Sequence, residues 1–191
     1  MGTSLVVKML SFCDNIIHNS VHTCLRKKQS TMKKLLSLFV IILLPMGLVA
    51  QKAHNFKLKN LNNQTVSYVE LKGNKLTVMD FWATWCKPCV KSIPKFIEMN
   101  DEFESEGVQF LGISIDGPRN LSKVKPFAKS LGINYPILLD MDNNVMTRFR
   151  VQAVPTLLII NSDDKIVLFH EGYKPGEEKL IRKEILKLLE K

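Results

Sequence analysis

The stretch Phe81-Trp82-Ala83-Thr84-Trp85-Cys86-Lys87-Pro88-Cys89 decides how the rest of the chain is read. Just before it, Leu76-Thr77-Val78-Met79-Asp80 is short, apolar and partly β-branched, which predicts a buried strand running on to Trp82. Just after it, Val90, Ile93, Ile97 and Phe103 recur near helical spacing, which predicts an amphipathic helix from Val90 to Phe103, kinked at Pro94. The two cysteines therefore stand where a strand turns into a helix. The first turn of a helix offers unpaired N–H groups and the positive end of the macrodipole, and both stabilise a thiolate. Two cysteines three positions apart can close a small disulfide, so dithiol and disulfide interconvert without unfolding anything.

A C-x-x-C pair is also half of a zinc site, or an inert structural disulfide. A structural zinc needs four ligands. After Cys89 there is no further cysteine, and the only later histidine is His170. A C-x-x-C between strand and helix is the setting expected of redox chemistry, and that reading is preferred.

The chain has 191 residues, 46% of them hydrophobic and 24% charged, enough for one well-cored domain. The formal net charge of +9 raises nucleic acid or a membrane surface as partners until the charge is located. Lys8, Arg26, Lys27, Lys28, Lys33 and Lys34 stand against Asp14 alone in residues 1–50, which carry +5. Residues 51–191 hold 21 bases and 17 acids with no basic run, so no nucleic-acid function is expected.

Met32-Lys33-Lys34 opens a run, Leu35 to Leu44, that is apolar except for Ser37, followed by Pro45-Met46-Gly47 and Leu48-Val49-Ala50-Gln51. A positive start, a short apolar core and a small residue at the cut are the parts of a secretory signal. The expected organisation is a signal peptide at 32–50, cleaved near Ala50 or kept as a membrane anchor, and one domain at 51–191. The domain then lies outside the cytoplasm, in the periplasm or an equivalent space where disulfides persist. Residues 1–31 precede a segment that works only at the front of a chain. They are read as a disordered extension that is not native, with translation starting at Met32. Within it, Cys13, His18, His22 and Cys24 have zinc-ligand spacing, but the stretch has no periodic core to support a site.

Along the domain, His54 to Lys59 and Thr65 to Val69 flank Asn62-Asn63 and predict an N-terminal hairpin. Val108 to Ile115 predicts a buried strand, Ser122 to Ser130 a helix capped by Ser122, and Pro136 to Leu139 a short strand. Asp142 to Phe149 predicts a short helix, and Leu157 to Ile160 a core strand with Lys165 to His170 as its hairpin partner. Glu177 to Leu189 predicts a closing helix with Leu180, Ile181, Ile185 and Leu188 facing inward. Phe96, Phe103, Phe110, Phe127 and Phe149 are read as core, and His170 as a strand-face residue without a role. This order predicts an α/β sandwich, parallel in its front half and antiparallel at its end.

Asp80 to Cys89 together with Val154-Pro155-Thr156 resembles the thioredoxin superfamily. With the hairpin, the extra helix and strand at 121–139 and the export signal, the chain is similar to the extracytoplasmic TlpA-like thiol–disulfide oxidoreductases. The resemblance implies a three-layer fold, a central mixed sheet flanked by helices. It implies Cys86 as the nucleophile, nearer solvent, and Cys89 as the buried resolving thiol. Pro155 would be a cis-proline facing the cysteines, leaving the Val154 backbone free to pair with a substrate strand. Trp85 would offer an apolar surface, and Lys87 and Pro88, between the cysteines, would tune them and meet the substrate. Asp80 stands where thioredoxins place a buried acid behind the resolving cysteine. It is either a proton shuttle for Cys89 or a strand-end residue bonded to backbone. Two departures bear on it: Ser92 stands where many TlpA-like reductases carry glutamate, and Gly112 where cytoplasmic thioredoxins place a lysine near the acid.

The expected activity is reduction, less readily oxidation, of protein disulfides by the Cys86/Cys89 dithiol. It needs no cofactor or metal. The partners implied are protein thiols and disulfides and a membrane thiol electron donor, with the protein itself monomeric. Two alternatives share the frame. One is a peroxiredoxin-like thiol peroxidase, although the Pro-x-x-x-Thr-x-x-Cys pattern of peroxiredoxins is missing ahead of Cys86. The other is a non-catalytic peptide-binding module, which would not need both cysteines.

Overall fold

Seven strands and five helices are laid out in the computed structural model, which describes residues 52–190. In chain order they are β1 (Lys57–Asn60), β2 (Thr65–Ser67), α1 (Tyr68–Leu71), β3 (Leu76–Trp82), α2 (Lys87–Phe103), β4 (Val108–Ser114), α3 (Leu121–Ser130), β5 (Ile137–Leu139), α4 (Asn144–Arg148), β6 (Thr156–Asn161), β7 (Ile166–Glu171) and α5 (Glu178–Leu189). The segments read as extension and signal, with Cys13, His18, His22 and Cys24, lie outside the described residues.

The strands form one sheet in the order β2-β1-β5-β4-β3-β6-β7. β3 is parallel to β4, and β4 to β5, because helices carry the chain back between them. β6 and β7 run antiparallel on one side, and the β1–β2 hairpin docks antiparallel on β5 at the other. The helix and strand at 121–139 thus widen the sheet and give the hairpin an edge to join. All seven residues of β3 are buried, as expected of a central strand covered on both faces. β7 alternates between half-buried and exposed, the mark of a strand with one solvated face.

The sheet separates two apolar layers. On one face Met79, Phe81, Leu111 and Ile113 meet Phe56, Tyr68 and Phe149, with Phe56 stacked on Tyr68 and edge-on to Phe149. On the other, Val78, Phe110, Leu157 and Ile159 meet Phe96, Phe103, Ile181 and Ile185 of α2 and α5. Arg182 of α5 pairs with Glu102 of α2 and lies over the Phe103 ring, closing that seam.

Several local expectations shift. The helix expected from Val90 begins at Lys87, because the Cys86 sulfur accepts from the Cys89 N–H and makes Cys86 its N-cap. It continues through Pro94, which sits on its exposed side. Tyr68 and Val69 leave the strand for α1, since Glu70 reaches back to the Ser67 N–H at 3.0 Å. Ser122 is not a cap: α3 starts at Leu121 behind Asn120, and no side chain caps it. Leu180 faces solvent at 65% exposure, so Ile181, Ile185 and Leu188 carry the inward face of α5. Of the five phenylalanines read as core, Phe127 is only half-buried, stacked on Trp82.

Candidate active site

β3 ends at Trp82, and Ala83, Thr84 and Trp85 carry the chain to Cys86. This short loop is held from β4. Asp116, just past the end of β4, accepts from the Thr84 N–H at 2.9 Å, the Thr84 hydroxyl at 2.6 Å and the Ser114 hydroxyl at 3.0 Å. Ile115 N–H donates to the Trp82 carbonyl at 2.9 Å, and Cys86 N–H to the Ala83 carbonyl at 3.1 Å. The loop is therefore fixed before the helix begins. Sequence reasoning missed Asp116, because its partners lie 32 and 2 residues away and only the fold joins them.

Cys86 and Cys89 are joined as a disulfide, with Cα atoms 5.3 Å apart. Cys86 retains 4% of its surface and Cys89 none, so the order expected from the sequence holds by a narrow margin. The Cys89 N–H lies 3.2 Å from the Cys86 sulfur. In the reduced protein that donor, with the end of the 17-residue α2, favours a thiolate on Cys86. Trp85 stands 59% exposed beside the pair, and Lys87 and Pro88 are also exposed on the first turn.

The Val154–Pro155 bond is cis. Phe81 pairs with Thr156 in the antiparallel β3–β6 ladder, so the preceding residues Pro155 and Val154 fall beside Trp82 and Ala83, at the dithiol end of the sheet. The Pro155 carbonyl is taken by the Gly172 N–H at 2.8 Å. Val154 is half-buried, and no other backbone group among the described residues engages its N–H or carbonyl.

Asp80 lies beneath this end. Val78, Asp80 and Trp82 share one face of β3, and the Phe110 ring beside Val78 meets Phe96 of α2. α2 runs back against β3, and Cys89 precedes Phe96 by seven residues, about 10 Å along the axis. That places Cys89 over the Asp80–Trp82 end of the strand. Asp80 is 1% exposed, and neither of its oxygens has a hydrogen-bond partner among the described residues. The strand-end residue bonded to backbone is therefore not what Asp80 is. Burial pushes its pKa up to about 8. Gly112 stands opposite it in the parallel register and supplies no cation. Ser92 is buried and spends its hydroxyl on the Cys89 carbonyl at 3.1 Å. His170 lies on β7, 3.3 Å from Glu177. Among the described residues no group of three or more His, Cys, Asp or Glu side chains is arranged to hold a metal.

A mixed sheet of this order, a disulfide at the start of the helix after its central strand and a cis-proline beside it define a thioredoxin-like protein with a C-x-x-C redox site. The chain belongs to the AhpC/TSA family, whose model matches residues 49–169. Among curated proteins it is similar to thiol-disulfide oxidoreductase ResA of Bacillus subtilis (strain 168), with 36% identity over 115 residues, 60% of this chain and 63% of that protein. ResA of Halalkalibacterium halodurans is 30% identical over 122 residues, 64% of this chain and 68% of that one. The chain thus spans somewhat under two thirds of the Bacillus subtilis relative and slightly more of the other. Among solved structures, a thioredoxin-like protein from Porphyromonas gingivalis superposes with a TM-score of 0.62 at 33% identity, over 74% of this chain and 93% of that one. StoA from Bacillus subtilis superposes with a TM-score of 0.57 at 26% identity, over 70% and 97%.

Proposed function

We propose that the protein is an extracytoplasmic thiol–disulfide oxidoreductase that reduces disulfides of other proteins. The observation that carries this reading is the position of the pair: Cys86 is the N-cap of α2 and Cys89 lies in its first turn, bonded to it. In the reduced protein the Cys86 thiolate attacks a partner disulfide. A Cys86–partner bond forms, the partner's S–S bond breaks, and one partner thiolate leaves and takes a proton. Cys89 then gives its proton to Asp80 in the fraction of molecules where that carboxyl is ionised, attacks the Cys86 sulfur, and releases the second partner thiolate. Two electrons pass to the partner, and the protein ends as the disulfide described above. Trp85, exposed at the site, and the unengaged backbone of Val154 support docking of an extended partner segment across the pair. Lys87 and Pro88 face the same partner.

Export rests on the Met32–Ala50 pattern, and a membrane thiol carrier is the electron donor that this location calls for. Among the described residues no helix is long and apolar enough to cross a membrane. N-terminal sequencing of the native protein should begin near Gln51; a native chain retaining residues 1–31 would remove the argument for export.

Turnover of a protein disulfide by the reduced chain tests the activity. Cys86→Ser should abolish it, and Cys89→Ser should leave partners trapped as mixed disulfides. If Cys89 is alkylated before Cys86 in the reduced protein, the two roles are reversed. Turnover of hydrogen peroxide with none of a disulfide would replace the reading with a thiol peroxidase.

A further inference from the structure

The start of α2 carries positive charge against its own local preference. Cations are unfavourable in the first turn of a helix, where the dipole is already positive, and like charges four residues apart repel. Lys87 is nevertheless the first residue of α2, next to Cys86, and Lys91 follows one turn later, about 6 Å along the axis. The inner stripe of the helix includes Cys89, Ser92, Ile93 and Phe96, and both lysines lie on the other side, exposed. The first turn holds no acid, and among the described residues neither ammonium has an ion-pair partner. Lys95, the next lysine along the helix, is neutralised by Glu98 at 2.6 Å. The helix therefore balances the charge farther from the dithiol and leaves bare the two nearest it. A sequence that breaks a local rule without a compensating contact points to a use outside the chain.

The other acids placed at this end of the sheet do not face those lysines. Asp116 and Asp140, past the ends of β4 and β5, are buried, and their carboxylates accept from N–H and hydroxyl donors. Glu177 and Glu178 accept from the Lys174 and Gly176 N–H groups at 2.8 Å each. The exposed charges on the surrounding loops and strand ends are Arg119, Arg150 and Lys174 against Asp142 and Glu171. Glu171 precedes Gly172, whose N–H holds the Pro155 carbonyl, so that acid lies beyond the cis-proline, on β7.

We propose that Lys87 and Lys91 select the substrate by charge: the disulfide this protein reduces carries an aspartate or glutamate beside its reacting cysteine. The proposal names a substrate class for the reductase proposed above and rests on that reading. The Cys86 thiolate is an anion and by itself repels an acidic segment. Two ammonium groups on the turns beside it reverse that sign, so a carboxylate is drawn towards the attacking sulfur and an ammonium is turned away. Trp85, 59% exposed beside Cys86, gives the same segment an apolar contact that is indifferent to charge. Charge thus sets which disulfide is attacked, while the sulfur chemistry is common to all.

Three disulfide-bridged peptides, identical except for Glu, Gln or Lys beside the reacting cysteine, test this with the full reduced chain. The Glu peptide should be reduced about tenfold faster than the Lys peptide at low salt, with the Gln peptide between them, and the ratio should shrink several-fold in about 0.5 M salt. Lys91→Gln should lower the Glu-to-Lys ratio, and Lys91→Glu should bring it close to one or invert it. Ratios are the readout because a change in Cys86 reactivity alters all three rates together and cancels. Equal rates on the three peptides, or a Lys91→Glu variant that slows all three alike, overturns the charge selection and leaves the reductase reading standing. Failure to reduce any of the three removes the reductase reading, and the selection with it.

Discussion

Asp80 and Asp116 are buried alike, each 1% exposed, within one turn of chain from neighbouring strand ends. Asp116 is saturated: two hydroxyls and a backbone N–H point at its carboxylate. Among the described residues Asp80 has no protein donor. The same side chain at the same depth therefore meets two environments. A carboxylate supplied with donors fastens the loop that presents Cys86. One deprived of donors holds its proton to about pH 8 and is able to exchange it near neutrality. Location in the sheet decides which. Asp116 sits past the end of β4, where loop N–H groups are unpaired, and Asp80 sits inside a strand whose backbone is already paired on both sides.

That contrast predicts opposite signs on mutation. Asp116→Ala strands the Thr84 N–H, the Thr84 hydroxyl and the Ser114 hydroxyl, and should destabilise the protein by about 3 kcal/mol. It should also slow disulfide exchange by loosening the loop. Chemical denaturation and turnover measured together check both, and a loss under about 1 kcal/mol would show that the three donors find water instead.

Asp80→Asn should do the reverse. An acid whose folded pKa is raised is neutral in both states below its unfolded pKa, and from there upward the unfolded chain ionises first. Wild-type stability thus falls as pH rises from the ordinary carboxylate range to about 8, and then levels off. The variant lacks that slope and should be the more stable protein at pH 8, by an amount on the order of 1–3 kcal/mol. Denaturation curves taken between pH 4 and pH 9, parallel for the two proteins, would erase the distinction drawn between the aspartates.

Much of this was legible before the fold was known. β3, β4 and β6 announce themselves as short apolar runs, and the dithiol is fixed by its place between β3 and α2. Asp80 was legible as a candidate only through the thioredoxin resemblance, which places a buried acid at that position. Asp116 was not, because an aspartate before Gly117-Pro118 reads as turn chemistry, and Thr84 becomes its partner only when β4 lies beside β3. Local signals misread elsewhere had local competitors. The Ser67-x-x-Glu70 box turned Tyr68 into helix where β-propensity favoured strand. Leu180, apolar but one position off the Ile181–Ile185 stripe, was left in solvent by the helical period.

The isolated bridge between Lys52 and Lys165, with the Ala53 N–H on the Asp164 carbonyl at 2.7 Å, fixes where the chain enters the domain. That corner adjoins Asn161, which pairs with Leu76 at the start of β3, whereas the dithiol follows the end of β3. Seven residues of strand, about 20 Å, separate the two poles. A load pulling on Lys52 therefore enters the domain through β7 and the start of β3, at the pole of the sheet opposite the sulfur pair.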